Sequence, residues 1–109
     1  MKKFVVIYRA PASSFDKMKD MTPEDHKKGM EPWMVWMKKC GSGLVDGGAP
    51  LKNGKNINPD GISESDSDIA GYSILQAENM EKAVIMLKNH PHLKWDAGCS
   101  IELYECMAM

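Results

Sequence analysis

Three histidines, His26, His90 and His92, carry the plainest potential for chemistry in this chain. An imidazole titrates near neutrality, so each is a candidate general base, given a carboxylate or backbone acceptor to fix its tautomer. His26 falls near Met30 and Trp33 and is either a cleft base or a side chain tucked over the core. His90 closes a helical stretch just before Pro91, where a helix dipole favours a cation, so a stabilising role competes with proton transfer. It is nevertheless the first candidate for a proton carrier. His90-Pro91-His92 offers two metal ligands where a site needs three or four, so no metal and no cofactor is expected. Trp33 and Trp36, with Met34 and Met37, form an apolar stripe that is either core or the wall of a pocket for an aromatic or flat apolar ligand. Tyr72 and His92 are further candidates to line such a pocket.

Other chemistries find less support. Cys40, Cys99 and Cys106 are odd in number and lack C-x-x-C spacing, which argues against a disulfide framework and a zinc knuckle; reduced, mostly buried thiols are expected. The glycines at 41, 43, 47 and 48 fit no phosphate-binding loop. Fourteen basic against fifteen acidic residues leave a net charge of −1, so nucleic acid is excluded as a partner. The opening MKKFVVIYRAP has an apolar run too short for a signal peptide or a membrane span, and reads as the first strand of a cytoplasmic protein. Ten methionines point to an adaptable core or an apolar binding surface.

The elements that must position these side chains can be read from periodicity. A length of 109 residues with 43% apolar and 27% charged residues predicts a single domain over residues 1–109. Phe4 to Arg9 alternates as a strand, with Phe4, Val6 and Tyr8 on one face and Val5, Ile7 and Arg9 on the other. A loop with Pro11 and two serines follows. Thr22-Pro23-Glu24-Asp25 then supplies a hydroxyl cap, a proline at the first helical position and first-turn carboxylates. From there an amphipathic helix runs to Cys40, with His26, Met30, Trp33, Met34, Trp36, Met37 and Cys40 on one arc and a kink or restart at Pro32.

Leu44 to Leu51 reads as a short strand whose glycines and Pro50 indicate a bulge or an edge position. Lys52 to Asp68 is polar, rich in turn signals, and reads as a long excursion or an irregular hairpin. Ile69 to Gln76 is apolar on both sides and forms the next strand. Asn79 caps a second helix with Met80, Ala83, Val84 and Leu87 in one stripe, terminated by Pro91 just after His90. Cys99 to Cys106 alternates as a last strand.

The order β-α-β-β-α-β predicts an α+β fold of ferredoxin-like type, a four-stranded antiparallel sheet with two helices on one face. The other face stays uncovered. Since the first and third strands are apolar on both sides, that face would leave a contiguous patch in water, and a second copy stacked sheet on sheet would bury it. The expected partner is therefore the chain itself, as a homodimer through the open sheet face.

Several segments carry a family resemblance: KKFVVIYRAP, MEPWMVWMKKCGSGLVDGGAPL, DGISESDSDIAGYSIL, NHPHL and the closing IELYE. Together, in order and spacing over nearly the whole chain, they resemble the YCII-related family, including its DGPF-type members. The resemblance implies a dimeric α+β barrel with a cleft for a small ligand, and lyase-like or hydrolase-like chemistry through a His near the first helix and an Asp of an Asp-Pro pair. This sequence departs from that dyad: His90 stands at the Asp position, and Glu31 or Pro32 near the His position. A swapped Glu31–His90 pair is the replacement the resemblance allows, although Glu31 lies off the apolar arc. Asp60-Gly61-Ile62-Ser63 likewise lacks the Pro and Phe of the DGPF signature. Two functions follow as expectations: a small-molecule enzyme using acid–base chemistry at His90, or a non-catalytic dimer that binds a small ligand or serves as an interaction module.

Overall fold

The structure is a computed structural model that describes residues 1–108. Strand β1 (Lys2–Arg9) follows the alternation of its sequence: Phe4, Val6 and Tyr8 are buried, while Val5, Ile7 and Arg9 are half-buried. The stretch expected to be a loop instead forms helix α1 (Ala12–Met18). Pro11, with φ −64°, presets the entry. Ser14, fully buried, donates its hydroxyl to Asp96 Oδ2 at 2.8 Å, a contact 82 residues away that local sequence does not announce.

Helix α2 (Pro23–Cys40) starts as its sequence dictates. Thr22 Oγ1 accepts the Asp25 amide at 3.1 Å and the Thr22 amide donates to Asp25 Oδ2 at 3.0 Å, a reciprocal capping box. The helix continues through Pro32 without a restart. Residues 23–32 are all exposed, and only from Trp33 onward does α2 meet the core. The expected apolar arc is thus buried only in its second half: Trp36 is buried, and Trp33, Met37 and Cys40 pack beside it, while Met30 and Met34 remain 51% and 61% exposed.

A 3₁₀ turn at Gly41–Gly43 leads into β2 (Leu44–Pro50), and a two-stranded hairpin follows, β3 (Lys55–Asn58) with β4 (Gly61–Glu64). The polar excursion is therefore a regular hairpin, in register with Ile57 opposite Ile62 and closed by a Lys55–Glu64 ion pair. After β5 (Ile69–Ala77), the Asn79 side chain caps α3 (Met80–Leu87) by accepting the Lys82 amide at 2.9 Å. Helix α3 ends three residues earlier than its sequence indicates, because Asn89 adopts a left-handed φ of 61°. Its buried face is Ala83 and Leu87 with Met86 beside them, whereas Met80 and Val84 are exposed. Pro91 does not end α3; it opens a further turn, α4 (His92–Trp95), before β6 (Ser100–Glu105).

The four long strands form an antiparallel sheet in the order β2-β5-β1-β6, the ferredoxin-like arrangement expected from the element order. In the β1–β5 register Phe4 faces Leu75 and Val6 faces Ser73, and these side chains pack with Trp36, Ala83 and Leu87 into the core between sheet and helices. On the opposite face Val5 pairs with Ile74 and Tyr104, and Ile7 with Tyr72. The Cα radius of gyration is 15.2 Å, above the roughly 13 Å of a compact domain this size, since the hairpin and the first half of α2 project from the body. No helix among the described residues is long and apolar enough to cross a membrane. All three cysteines are free, and none is fully buried: Cys40 and Cys99 are half-buried and Cys106 is exposed.

Candidate functional site

The candidate side chains converge where α2, the α3–α4 connection and the middle of the sheet meet. His90 is fully buried and His92 is 3% exposed. Because α3 has already ended, His90 lies in the connection and its ring does not benefit from a helix carboxyl end. Asn89 in the left-handed region turns the chain so that the His92 amide donates to His90 Nδ1 at 3.0 Å. With Nδ1 an acceptor, the neutral ring carries its proton on Nε2, which points at Tyr8 Oη at 3.3 Å.

The chain of polar contacts continues through the sheet. Tyr8 Oη and Ser73 Oγ are 2.8 Å apart, and Ser73 Oγ donates to the Gly47 carbonyl at 2.8 Å. Since the serine has a single proton, already given to Gly47, the Tyr8 hydroxyl donates to Ser73 and accepts from His90. The direction is therefore fixed from one end to the other: His92 amide, His90, Tyr8, Ser73, Gly47 carbonyl. The last acceptor exists because β2 is bulged: its pairing with β5 shifts register between Asp46 and Ala49, and Gly48 sits at φ 73°. Asp46 Oδ1 accepts the Gly48 amide at 2.8 Å and holds that turn.

Aromatic rings close over the chain. Trp33 meets Tyr8 edge to face at a centroid distance of 5.0 Å and His90 at 4.5 Å; Trp36 meets His90 at 4.3 Å. The Trp36 indole N–H donates to the Met86 carbonyl at 2.8 Å, tying α2 to α3. His92 Nε2 donates to the Arg9 carbonyl at 2.7 Å and its ring packs on Tyr8.

This enclosure sets the protonation states. Burial pushes the His90 pKa down to about 4, helped by repulsion from His92, so the ring is neutral at pH 7. The occupied Nδ1 lone pair works in the same direction, because a second ring proton would face the His92 N–H. Burial pushes the Tyr8 hydroxyl up to about 12 against the lowering effect of its Ser73 hydrogen bond. Among the described residues no buried side-chain nitrogen or oxygen lacks a partner.

The structure thus brings His90, His92 and Trp33 together. It leaves His26 and Glu31 apart: both are exposed on the projecting half of α2, and neither side chain makes a hydrogen bond, ion pair or ring contact with a described residue. Glu31 and His90 do not pair. Tyr72 faces Ile7 and Ala49 on the open side of the sheet, opposite to Trp33, so those two rings do not line one cleft. Tyr8 and Ser73 were absent from the sequence candidates, although the strand alternation already placed Tyr8 on one face with Phe4 and Val6. No described group of three or more His, Cys, Asp or Glu side chains is arranged to hold a metal ion.

Beside the network, with Trp36 as the shared wall, a groove of about 520 Å³ opens between α2 and the α3–α4 connection. Its size falls within the range of small-ligand sites.

No family model matches the chain, and no curated protein matches it. Among solved structures the chain is similar to TftG, the 5-chloro-2-hydroxyhydroquinone dehydrochlorinase from Burkholderia phenoliruptrix AC1100, in complex with 2,5-dihydroxybenzoquinone. The two are 14% identical, with a TM-score of 0.49 over 92% of this chain and 90% of that one.

Proposed function

We propose that this chain is a YCII-related protein that works as a homodimeric small-ligand-binding module, without acid–base catalysis at His90. One observation carries the reading: both ring nitrogens of His90 are engaged by the protein itself, in a buried site that keeps the ring neutral with a pKa of about 4. A general base near neutral pH works best with a pKa near the operating pH and within reach of the substrate proton. His90 has the wrong basicity, and its nitrogens face Tyr8 and the His92 amide. The network therefore fixes the walls around it, α2, sheet and connection, and leaves binding to the surface they shape.

The homodimer is supported by the open sheet face, where Val5, Ile7, Tyr72 and Ile74 sit on the two central strands with Tyr104 beside them, 54% exposed. A sheet face of that composition is covered in stable proteins, and a two-fold copy covers it with identical surface.

The function is tested by a thermal-shift screen of small metabolites with each hit recovered and checked by mass spectrometry. Binding raises the midpoint of unfolding, and the expected result is a stabilising compound recovered unchanged. Conversion of a hit compound, abolished in His90→Asn, would establish the acid–base enzyme instead.

A further inference from the structure

The groove beside Trp36 combines exposed apolar area with charge of a single sign. Its floor is aliphatic: Val35 on α2 and Ile85 on α3, 67% and 62% exposed, with Met86 between the helices. Its border carries Lys39 from the last turn of α2, Lys88 where α3 ends, and Lys94 from α4. No Asp or Glu lines it, and among the described residues none of these three lysines is in an ion pair. In a chain whose net charge is −1, three unpaired cations from three elements around one apolar trough make a local field of a single sign.

Lysines at the C-terminal end of a helix complement its dipole, and that accounts for Lys39, Lys88 and Lys94 individually. It does not account for their convergence on one groove, or for the aliphatic side chains left in water between them. Such a floor asks for an apolar body, and such a border for an anionic head.

We propose that this groove binds an amphiphilic organic anion, a carboxylate carrying a medium-length hydrocarbon chain, with the chain over Val35, Ile85 and Met86 and the carboxylate among Lys39, Lys88 and Lys94. The proposal rests on the small-ligand-binding reading and gives that reading its chemical class and its location. Trp36 joins the groove to the buried network: its ring forms the wall, and its indole N–H holds the Met86 carbonyl.

The test uses the full-length protein labelled with ¹⁵N and titrated with four probes: decanoate, decan-1-ol, decyltrimethylammonium and acetate. The expected result is that decanoate shifts the amides of Val35, Ile85, Lys88, Asn89 and Lys94 and binds at least tenfold more tightly than the alcohol or the ammonium, with acetate inactive. Replacing Lys39, Lys88 and Lys94 by glutamine, all on the surface, should remove the preference for decanoate while leaving decan-1-ol binding unchanged. Equal binding of decanoate and decyltrimethylammonium overturns the proposal. So do decanoate shifts that map to the open sheet face, and in that case the ligand-binding reading stands without the groove. If neither decanoate nor any screened metabolite binds, both fall.

Discussion

His90 Nδ1 accepts the amide of His92 at 3.0 Å, two residues on, and this short bond decides what the histidine pair can do. It consumes the lone pair that would take up a proton, in a site where burial already holds the His90 pKa near 4. In the unfolded chain the same ring titrates at about 6.5. The native state therefore binds fewer protons than the unfolded state between these values, and stability falls as pH drops through that window. The full effect is roughly 3 kcal/mol by pH 4, on the order of the linkage expected for such a shift. Urea unfolding at pH 7 and pH 4 measures it. In His90→Asn, where the amide oxygen can still accept from His92, the overall stability is lower but this loss between pH 6.5 and pH 4 should largely vanish. An unchanged pH dependence in the variant would place the titrating group elsewhere.

Tyr8 is the relay between His90 and Ser73, donating to one and accepting from the other. Tyr8→Phe keeps the ring against Trp33 but leaves the His90 N–H without an acceptor in a buried site, a loss of about 1–3 kcal/mol. Ser73→Ala removes the other end of the relay, so the two changes should not add. A double-mutant cycle is expected to show a coupling of about 0.5–3 kcal/mol. Additive effects would mean that the hydroxyls act independently and that the directed chain is incorrect.

Much of this arrangement is legible in the sequence, and the failures have physical causes. Alternation in residues 4–9 correctly grouped Phe4, Val6 and Tyr8 on one face, but with both faces apolar it did not show which one the helices bury, and Thr22-Pro23-Glu24-Asp25 correctly located the start of α2. Helix α1 was hidden because Pro11 and two serines look like a loop, and what holds Ser14 is Asp96, distant in sequence. His90 was expected inside a helix because Pro91 was read as the stop, whereas Asn89, a residue that tolerates the left-handed region, ends it earlier. His90 and His92 were legible as chemically capable residues; their engagement by Tyr8 and the Arg9 carbonyl was not, since those partners are 82 and 83 residues away. The lysines of the groove went unnoticed because each looks ordinary on its own element, and only the packing of α2 against α3 and α4 gathers them.

Two glycines should respond in opposite ways to the same substitution. Gly48 sits at φ 73° with the position of a Cβ only 1.7 Å from the Tyr72 carbonyl oxygen, so Gly48→Ala must push β2 off β5 and displace the Gly47 carbonyl that ends the polar chain. A loss of more than about 2 kcal/mol is expected, from strain and from broken pairing together. Gly29 lies in the exposed half of α2 with nothing near its Cβ position, so Gly29→Ala should stabilise by about 0.5–1 kcal/mol. Thermal unfolding of both variants beside the wild type reads the contrast.

Val5 and Ile74 face each other across β1 and β5 on the side of the sheet without helices, and the homodimer proposal depends on that pair. A charge at either position leaves the core untouched, because their neighbours Phe4 and Leu75 point the other way. In a stacked dimer the same charge would be buried without a partner and opposed by its two-fold copy, so its cost is counted twice per assembly. Ile74→Glu should therefore convert a dimer into a folded monomer, read as a halved mass by light scattering at micromolar concentration with the far-ultraviolet circular dichroism unchanged. Wild type of monomeric mass, or a dimer that survives both Ile74→Glu and Val5→Glu, would remove this face as the interface. The projecting hairpin, with Ile57 and Ile62 exposed side by side, would then be the next surface to charge.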